Sequence, residues 1–374
     1  GTVCCQSWKG HEMAEAAAHT ALFQAIYSQP AIARDLLERL DGGAREATAL
    51  LAASRRVFLV GTGTSSHAAV VGEHLLRLVG ADAYALTNFD FVTYPRPIGP
   101  EDTVIAISHR GGKRYGKAAI EYALAAGANV IGITGQGSPM QGTHVQLQTA
   151  PQEKSSTHSM SYVANLVALG LIAVQLGART GVDTAELQAG LFRVPAVIQH
   201  LLENDEVVRE AASIVAASGK MVLVGAGPNA VTAREGALKV KESSYLVAEG
   251  FELETFLHGG LQAVSSGDLA VVIAANGPAF DRTKDAIRAL QHIGARILVI
   301  ADERVHQDVH FDPSLSAPVG VVVFAGVIEQ LSPIAAAVPL QLLADYTATL
   351  RGTNADIFRA DDPAYKAASD SYVL

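Results

Sequence analysis

The sequence predicts an α/β protein built from two parallel β-sheets, each covered by helices, the second unit being a duplicate of the first. Three observations carry that expectation. RRVFLVGTGTSSHAAVV from Arg55 and KMVLVGAGPNAVTARE from Lys220 both read as a β-branched strand, a Gly-x-Gly turn and a helix start, with Val60 and Val224 offset by 164 residues. DTVIAIS from Asp102 matches DLAVVIA from Asp268 at an offset of 166, and AAGANVIGIT from Ala125 matches HIGARILVIA from His292 at 167. Three matches at nearly one spacing indicate duplication. Short, almost wholly apolar strands alternating with periodic helices are the pattern of a parallel sheet buried on both faces.

Taken in order, residues 1–50 read as a helical segment without a sheet. Strands are predicted near 56–60, 83–86, 103–107, 129–133 and 145–148 within a first unit spanning 51–195. A second unit, 196–350, repeats them near 221–224, 269–274, 296–300 and 319–324, and a polar tail occupies 351–374. Residues 161–178, SYVANLVALGLIAVQLGA, carry no charge and are long enough to raise the question of a membrane span. Asn165, Gln175 and two glycines inside the stretch, and the lack of a basic flank, favour a buried helix.

The 374 residues are 49% hydrophobic and 17% charged, ample for two cores, and the formal charge of −9 argues against a nonspecific nucleic-acid binder. Cys4 and Cys5 are the two cysteines and are adjacent, so neither a disulfide framework nor a zinc set is visible, and a reducing, cytoplasmic setting is expected. His306, Asp308 and His310 could share one strand face, but their short polar segment reads better as solvated, and no metal or other cofactor is expected.

In open parallel sheets ligands bind beyond the carboxyl ends of the strands, which directs attention to the turns. Gly61–Ser66, GTGTSS, can aim backbone N–H groups and the hydroxyls of Thr64 and Ser65 at an anion on a helix N-terminus, although glycine also serves any tight turn. Ser108–Lys113, SHRGGK, is a second such turn, where Ser108, Arg110 and Lys113 could hold phosphate or simply form a solvated basic loop. GAGPNA from Gly225 satisfies the G-x-G-x-x-A dinucleotide fingerprint. The stretch after it, TAREGALKVKESSYLVAE, reads as one long helix, with no second strand ending in the required acid. Within that helix Glu235, Lys239 and Glu242 fall on one face by i,i+4 and i,i+3 spacing, the arrangement of surface salt bridges or of a site, and His258 comes later, before a glycine pair.

With EGALKVKESSY, HGG, the Gly63-Thr64-Ser65 and Ser108 turns, and QLLADY before a Gly-Thr tail, the chain resembles the SIS (sugar isomerase) phosphosugar family over most of its length. The resemblance implies two flavodoxin-like, doubly wound domains, a homodimer with a shared active site, and a sugar phosphate as the small-molecule partner. It casts Glu242 as the carboxylate that moves a proton between C1 and C2 of an open-chain sugar. Lys239 would handle the oxygen or nitrogen at C2. His258 would help open the ring, in a neighbouring subunit's site, and Lys366 in DPAYKAAS would be the tail lysine able to form an imine. Gly63, Thr64, Ser65, Ser108, His109, Arg110 and Lys113 would bind substrate.

The chain also departs from the family pattern. Its phosphate turn usually reads Ser-x-Ser-Gly-x-Ser or Thr, so two compact hydroxyls are here the long cations Arg110 and Lys113. A Thr-Lys pair appears as Thr157-His158, and His-Gly-Pro as His258-Gly259-Gly260. With no glutaminase segment before the repeat, glutamine-dependent synthesis is not expected of this chain alone. The expected activity is aldose–ketose isomerisation of a phosphorylated sugar, or isomerisation or deamination of an amino-sugar phosphate. The alternative is a phosphosugar-binding regulator without turnover.

Overall fold

The computed structural model describes residues 20–315 and 318–373; Cys4, Cys5 and the first 19 residues of the predicted helical segment lie outside them. Two helices, α1 (Ala21–Arg39) and α2 (Asp41–Leu51), lead into the first sheet. That sheet runs β1 (Arg56–Gly61), α3 (Thr64–Leu78), β2 (Ala83–Thr87), α4 (Asn88–Thr93), β3 (Asp102–Ser108), α5 (Arg114–Ala125), β4 (Asn129–Thr134), β5 (Val145–Gln148). Helices α6 (Met160–Thr180), α7 (Ala185–Glu203) and α8 (Glu206–Ser218) connect it to the second. There β6 (Lys220–Gly225), α9 (Pro228–Ser244), β7 (Val247–Glu252), α10 (Leu253–Leu257), β8 (Leu269–Ala274), α11 (Phe280–Ile293), β9 (Arg296–Asp302) and β10 (Gly320–Phe324) precede α12 (Ser332–Arg351) and α13 (Pro363–Asp370).

Every strand pair is parallel, and the two sheets have the same order, β2-β1-β3-β4-β5 and β7-β6-β8-β9-β10. The duplication read from three sequence matches is therefore a duplication of topology. In this doubly wound order the chain reverses direction between the first and third strands of each sheet. Loops leaving β1 and β3 diverge there and open a crevice.

Helix α6 is the predicted uncharged stretch, and 94% of its most apolar window is buried within the protein. It packs on α1, α2 and α3, with side chains such as Leu166, Leu169 and Ile172 fully enclosed, so its apolarity is that of a core helix. Ser161 and Asn165, at 2% and 1% exposure, are its buried polar residues, and both line the site described below.

Two expectations are corrected. The helix starting after the GAGPNA turn does not run through LVAE: α9 stops at Ser244, where Tyr245 takes a left-handed conformation (φ 59°), and β7 comes next. β7 ends in Glu252, so the acid demanded by the dinucleotide fingerprint exists. Its carboxylate, however, accepts the backbone N–H groups of Glu254 (2.9 Å) and Thr255 (2.8 Å) and caps α10. Residues His306–Asp308 form a 3₁₀ turn rather than a strand. Among the described residues no group of three or more His, Cys, Asp or Glu side chains is placed to hold a metal ion.

Candidate active site

A cavity of about 340 Å³ lies in the crevice of the first sheet, at the ends of β1 and β3. Its floor is the Gly-x-Gly turn. Gly63 adopts φ 58°, ψ −129°, a conformation only glycine takes without strain, and it hands the chain to α3 at Thr64. A Cβ on Gly61 would lie 2.4 Å from the backbone of Ser65, so the turn can close this tightly only with glycine there. The second wall is the Ser108 turn, tied by the Gly111 N–H donating to the Ser108 hydroxyl (3.1 Å). Ser108, Arg110 and Lys113 all line the cavity. Neither Arg110 nor Lys113 is paired with a carboxylate among the described residues. Burial, with help from Arg110, lowers the pKa of Lys113, which Glu242 partly offsets.

Across from these turns stands α9, which belongs to the second sheet but packs against α3 of the first. Its predicted common face is present, and it is not a surface face. Lys239 is 1% exposed and Glu235 2%, with Lys239 Nζ 2.5 Å from Glu242 and 3.4 Å from Glu235. The Thr64 hydroxyl accepts from Lys239 (3.0 Å) and donates to Glu235 (3.1 Å), while His67 Nδ1 sits 2.6 Å from the other Glu235 oxygen. Burial opposes charge on Lys239, but Glu235 and Glu242 outweigh it and raise its pKa. Burial also works against ionised Glu235, yet Lys239 and His67 hold its pKa below the ordinary value. Glu242 differs: burial prevails over the pull of Lys239 and its pKa is raised. Of the three charged side chains, Glu242 alone lines the cavity. A lysine thus holds two carboxylates, one locked as an anion and one reaching the ligand space with its proton more tightly held.

The third wall is the segment before α6. Glu153, fully buried, accepts the backbone N–H groups of Ser159 (2.9 Å) and Ser161 (2.5 Å), the orphan donors at the start of that helix. This fixes Ser156, His158 and Ser161 on the cavity. The tail pins the same segment, since the Ser156 N–H donates to the Asp356 carbonyl (2.8 Å) and the Thr157 hydroxyl to that of Ala355 (2.6 Å). Phe358, in the left-handed region at φ 49°, then closes one side.

Nine of the eleven predicted site residues meet here. Gly63, Thr64, Ser65, Ser108, Arg110, Lys113 and Glu242 line the cavity, and Lys239 underlies it. His109 lines it too, but its ring is committed elsewhere. Its Nε2 accepts the Glu153 N–H (3.2 Å) in space left by Gly135, and burial, then Arg110, lowers its pKa to about 4. The other two lie apart in this chain. His258 is 75% exposed and paired with Glu254 at 2.9 Å. Lys366 lies on α13 with its Nζ 3.1 Å from Asp370. Sequence reasoning misses Asn88, Ser156, Ser161, Asn165 and Phe358 as lining residues, because they come from four separate segments and share no motif.

A glycine turn and a basic turn at the switch point of one sheet, faced by a buried Glu-Lys-Glu helix from a second sheet of the same order, define a duplicated doubly wound class of α/β protein, and the chain belongs to the SIS domain family. The family model matches residues 50–175 and 214–306. A glutamine–fructose-6-phosphate aminotransferase (isomerizing) of Gloeobacter violaceus is 32% identical over 90% of this chain. The match covers 56% of that relative, so the chain spans about half the length of the curated relatives it matches. Among solved structures, the C-terminal domain of glucosamine-fructose-6-phosphate aminotransferase from Francisella tularensis superposes with a TM-score of 0.83 at 20% identity, covering 90% of this chain and 98% of that one. Tagatose-6-phosphate ketose/aldose isomerase from Escherichia coli gives 0.74 at 19%, covering 91% and 95%. At those identities the likeness is one of fold.

Proposed function

We propose that this chain is an enzyme of phosphosugars: an aldose–ketose isomerase, or an amino-sugar-phosphate isomerase or deaminase, that moves a proton between C1 and C2. The observation that carries this reading is Glu242, a carboxylate of raised pKa on the same cavity as the Gly63 turn and the basic Ser108 turn. The phosphate would lie on the Gly63–Ser65 turn and against Arg110 and Lys113, neutralised by charges with no competing partner. The opposite end of the open-chain sugar then reaches Glu242. A carbonyl acidifies the proton on the neighbouring carbon. A carboxylate can take that proton, leave an enediol or enolamine, and return it one carbon away. Lys239 donates a hydrogen bond to the ionised Glu242 and stays cationic when that carboxylate takes the proton, its charge held by Glu235, which His67 in turn fixes.

His258 and Lys366 enter this reading through assembly and tail movement. In a homodimer an exposed histidine can serve a neighbouring copy, and the tail that already delivers Phe358 could bring Lys366 inward on substrate binding. The setting is cytoplasmic, where a charged sugar phosphate is retained. The test is incubation in D₂O with a panel of hexose and hexosamine 6-phosphates, read by NMR at C1 and C2. Deuterium incorporation or product with at least one of them is expected; binding without exchange by any would remove the proposal and leave a phosphosugar-binding protein.

A further inference from the structure

A second cavity, about 360 Å³, adjoins the first, sharing Glu242 and Phe358 as a common wall. Its other walls are Lys241, Tyr245, Leu246, Arg359 and Tyr365. The Arg359 guanidinium is held between two rings, 4.3 Å from the Tyr245 centroid and 4.4 Å from that of Tyr365. Its backbone N–H donates to the Tyr245 hydroxyl (3.1 Å), which itself donates to the Asn354 carbonyl (2.9 Å). The guanidinium is thus held at its faces, one edge nitrogen also donates to the Tyr365 hydroxyl, and it meets no carboxylate among the described residues. Lys241, one position before Glu242, likewise has no acidic partner among them. The single carboxylate on the walls, Glu242, is already balanced by Lys239.

This pocket is apolar and aromatic around two uncompensated cations, the chemistry of a site for an organic anion with a carbon stem. Its place sets which part of a ligand it meets. If phosphate is held at the Gly63 and Arg110 turns, Glu242 lies at C1–C2, and whatever projects from those carbons passes Glu242 into the second cavity. An unsubstituted hexose phosphate has nothing to put there. Resting on the phosphosugar reading above, we propose that the natural substrate is a sugar phosphate carrying, at its C1–C2 end, an amine-linked substituent with a carboxylate, which Lys241 and Arg359 receive.

The test is calorimetric binding of three compounds to the full chain: fructose 6-phosphate, its 1-deoxy-1-glycino derivative, and the matching derivative of ethanolamine, which lacks the carboxylate. The glycino compound is expected to bind at least tenfold more tightly than the ethanolamine one, the scale of one charge-assisted contact. Lys241→Met and Arg359→Met should each erode that preference and together abolish it, with fructose 6-phosphate affinity unchanged as the control for folding. Equal affinity of the two derivatives while fructose 6-phosphate still binds would overturn this proposal and leave the phosphosugar reading standing, the cavity then serving tail packing or subunit contact. Failure of all three to bind would overturn both.

Discussion

The two halves share the same glycine turn and use it differently. Gly63 (φ 58°, ψ −129°) and Gly227 (φ 52°, ψ −128°) have nearly identical backbones, and each hands its strand to a helix. After Gly63 come the hydroxyls of Thr64 and Ser65. After Gly227 come Pro228, which has no N–H, and Asn229, buried and donating to the Ser332 hydroxyl at 2.7 Å. The basic Ser108 turn corresponds to Ala274–Gly277, which has no charge, and there the Glu329 side chain fills the space: a Cβ on Gly277 would lie 2.3 Å from it. Facing helices differ in the same sense. At the offset of 164, Glu235, Lys239 and Glu242 of α9 correspond to Val71, Leu75 and Leu78 of α3. One copy kept the turn as a binding site and the other as a way to join a strand to a helix, so a Gly-x-Gly turn by itself says little about ligands.

The contrast between the halves is erased most severely at Glu242. Glu242→Gln keeps the shape and removes the base, and exchange at C2 should fall by about 10²–10⁴-fold while sugar phosphate binding survives. Retained exchange would place the proton transfer on another group. Lys239→Met makes α9 resemble α3 but leaves Glu235 buried without its counter-charge. Stability should drop by about 3–5 kcal/mol, read by urea denaturation, because breaking a buried pair strands the remaining ion. A loss under about 1 kcal/mol would mean that the charges are better solvated than their burial implies.

Replacing Arg110 and Lys113 by serine and threonine should weaken phosphosugar binding by roughly tenfold for each cation, more steeply at low salt, if the cations meet the phosphate. Unchanged affinity would assign that grip to the Gly63 turn alone. The smallest effect is expected at Glu329. Half-burial raises its pKa, so the native state holds the proton more tightly than the unfolded chain. Its contribution to stability is therefore greatest below the ordinary carboxylate range and declines as pH rises through the raised value. Glu329→Gln should flatten that decline and add about 0.5 kcal/mol at pH 8. A destabilised variant would mean that the carboxylate is held by the turn rather than merely tolerated there.

Much of this was legible in the sequence for physical reasons. Nine of the ten strands are legible, the central ones because a sheet buried on both faces demands unbroken apolar runs, and the edge strands AYALT and VQLQ because they fall at the strand spacing of such a sheet. β7, VAEGFE, escapes because two acids and a glycine interrupt its pattern, and because the preceding helix ends at Tyr245 rather than at a glycine. Helical spacing placed Glu235, Lys239 and Glu242 together but carried no information on burial, which comes from α9 packing onto α3. Ser156 and Ser161 reach the site through the buried Glu153 cap, and Phe358 through the tail's hydrogen bonds to residues 155–157. Those are long-range contacts without a periodic signature. The departure of Lys366 has the same origin: its sequence position could be matched, but its path along α13 could not.

The most direct measurement is a structure with a bound hexose 6-phosphate. The account predicts phosphorus against Gly63–Ser65 and Arg110, with the C1–C2 edge about 3–3.5 Å from a Glu242 carboxylate oxygen. Phosphate at Gly227, or a sugar whose reacting carbons lie beyond the reach of Glu242, would contradict it.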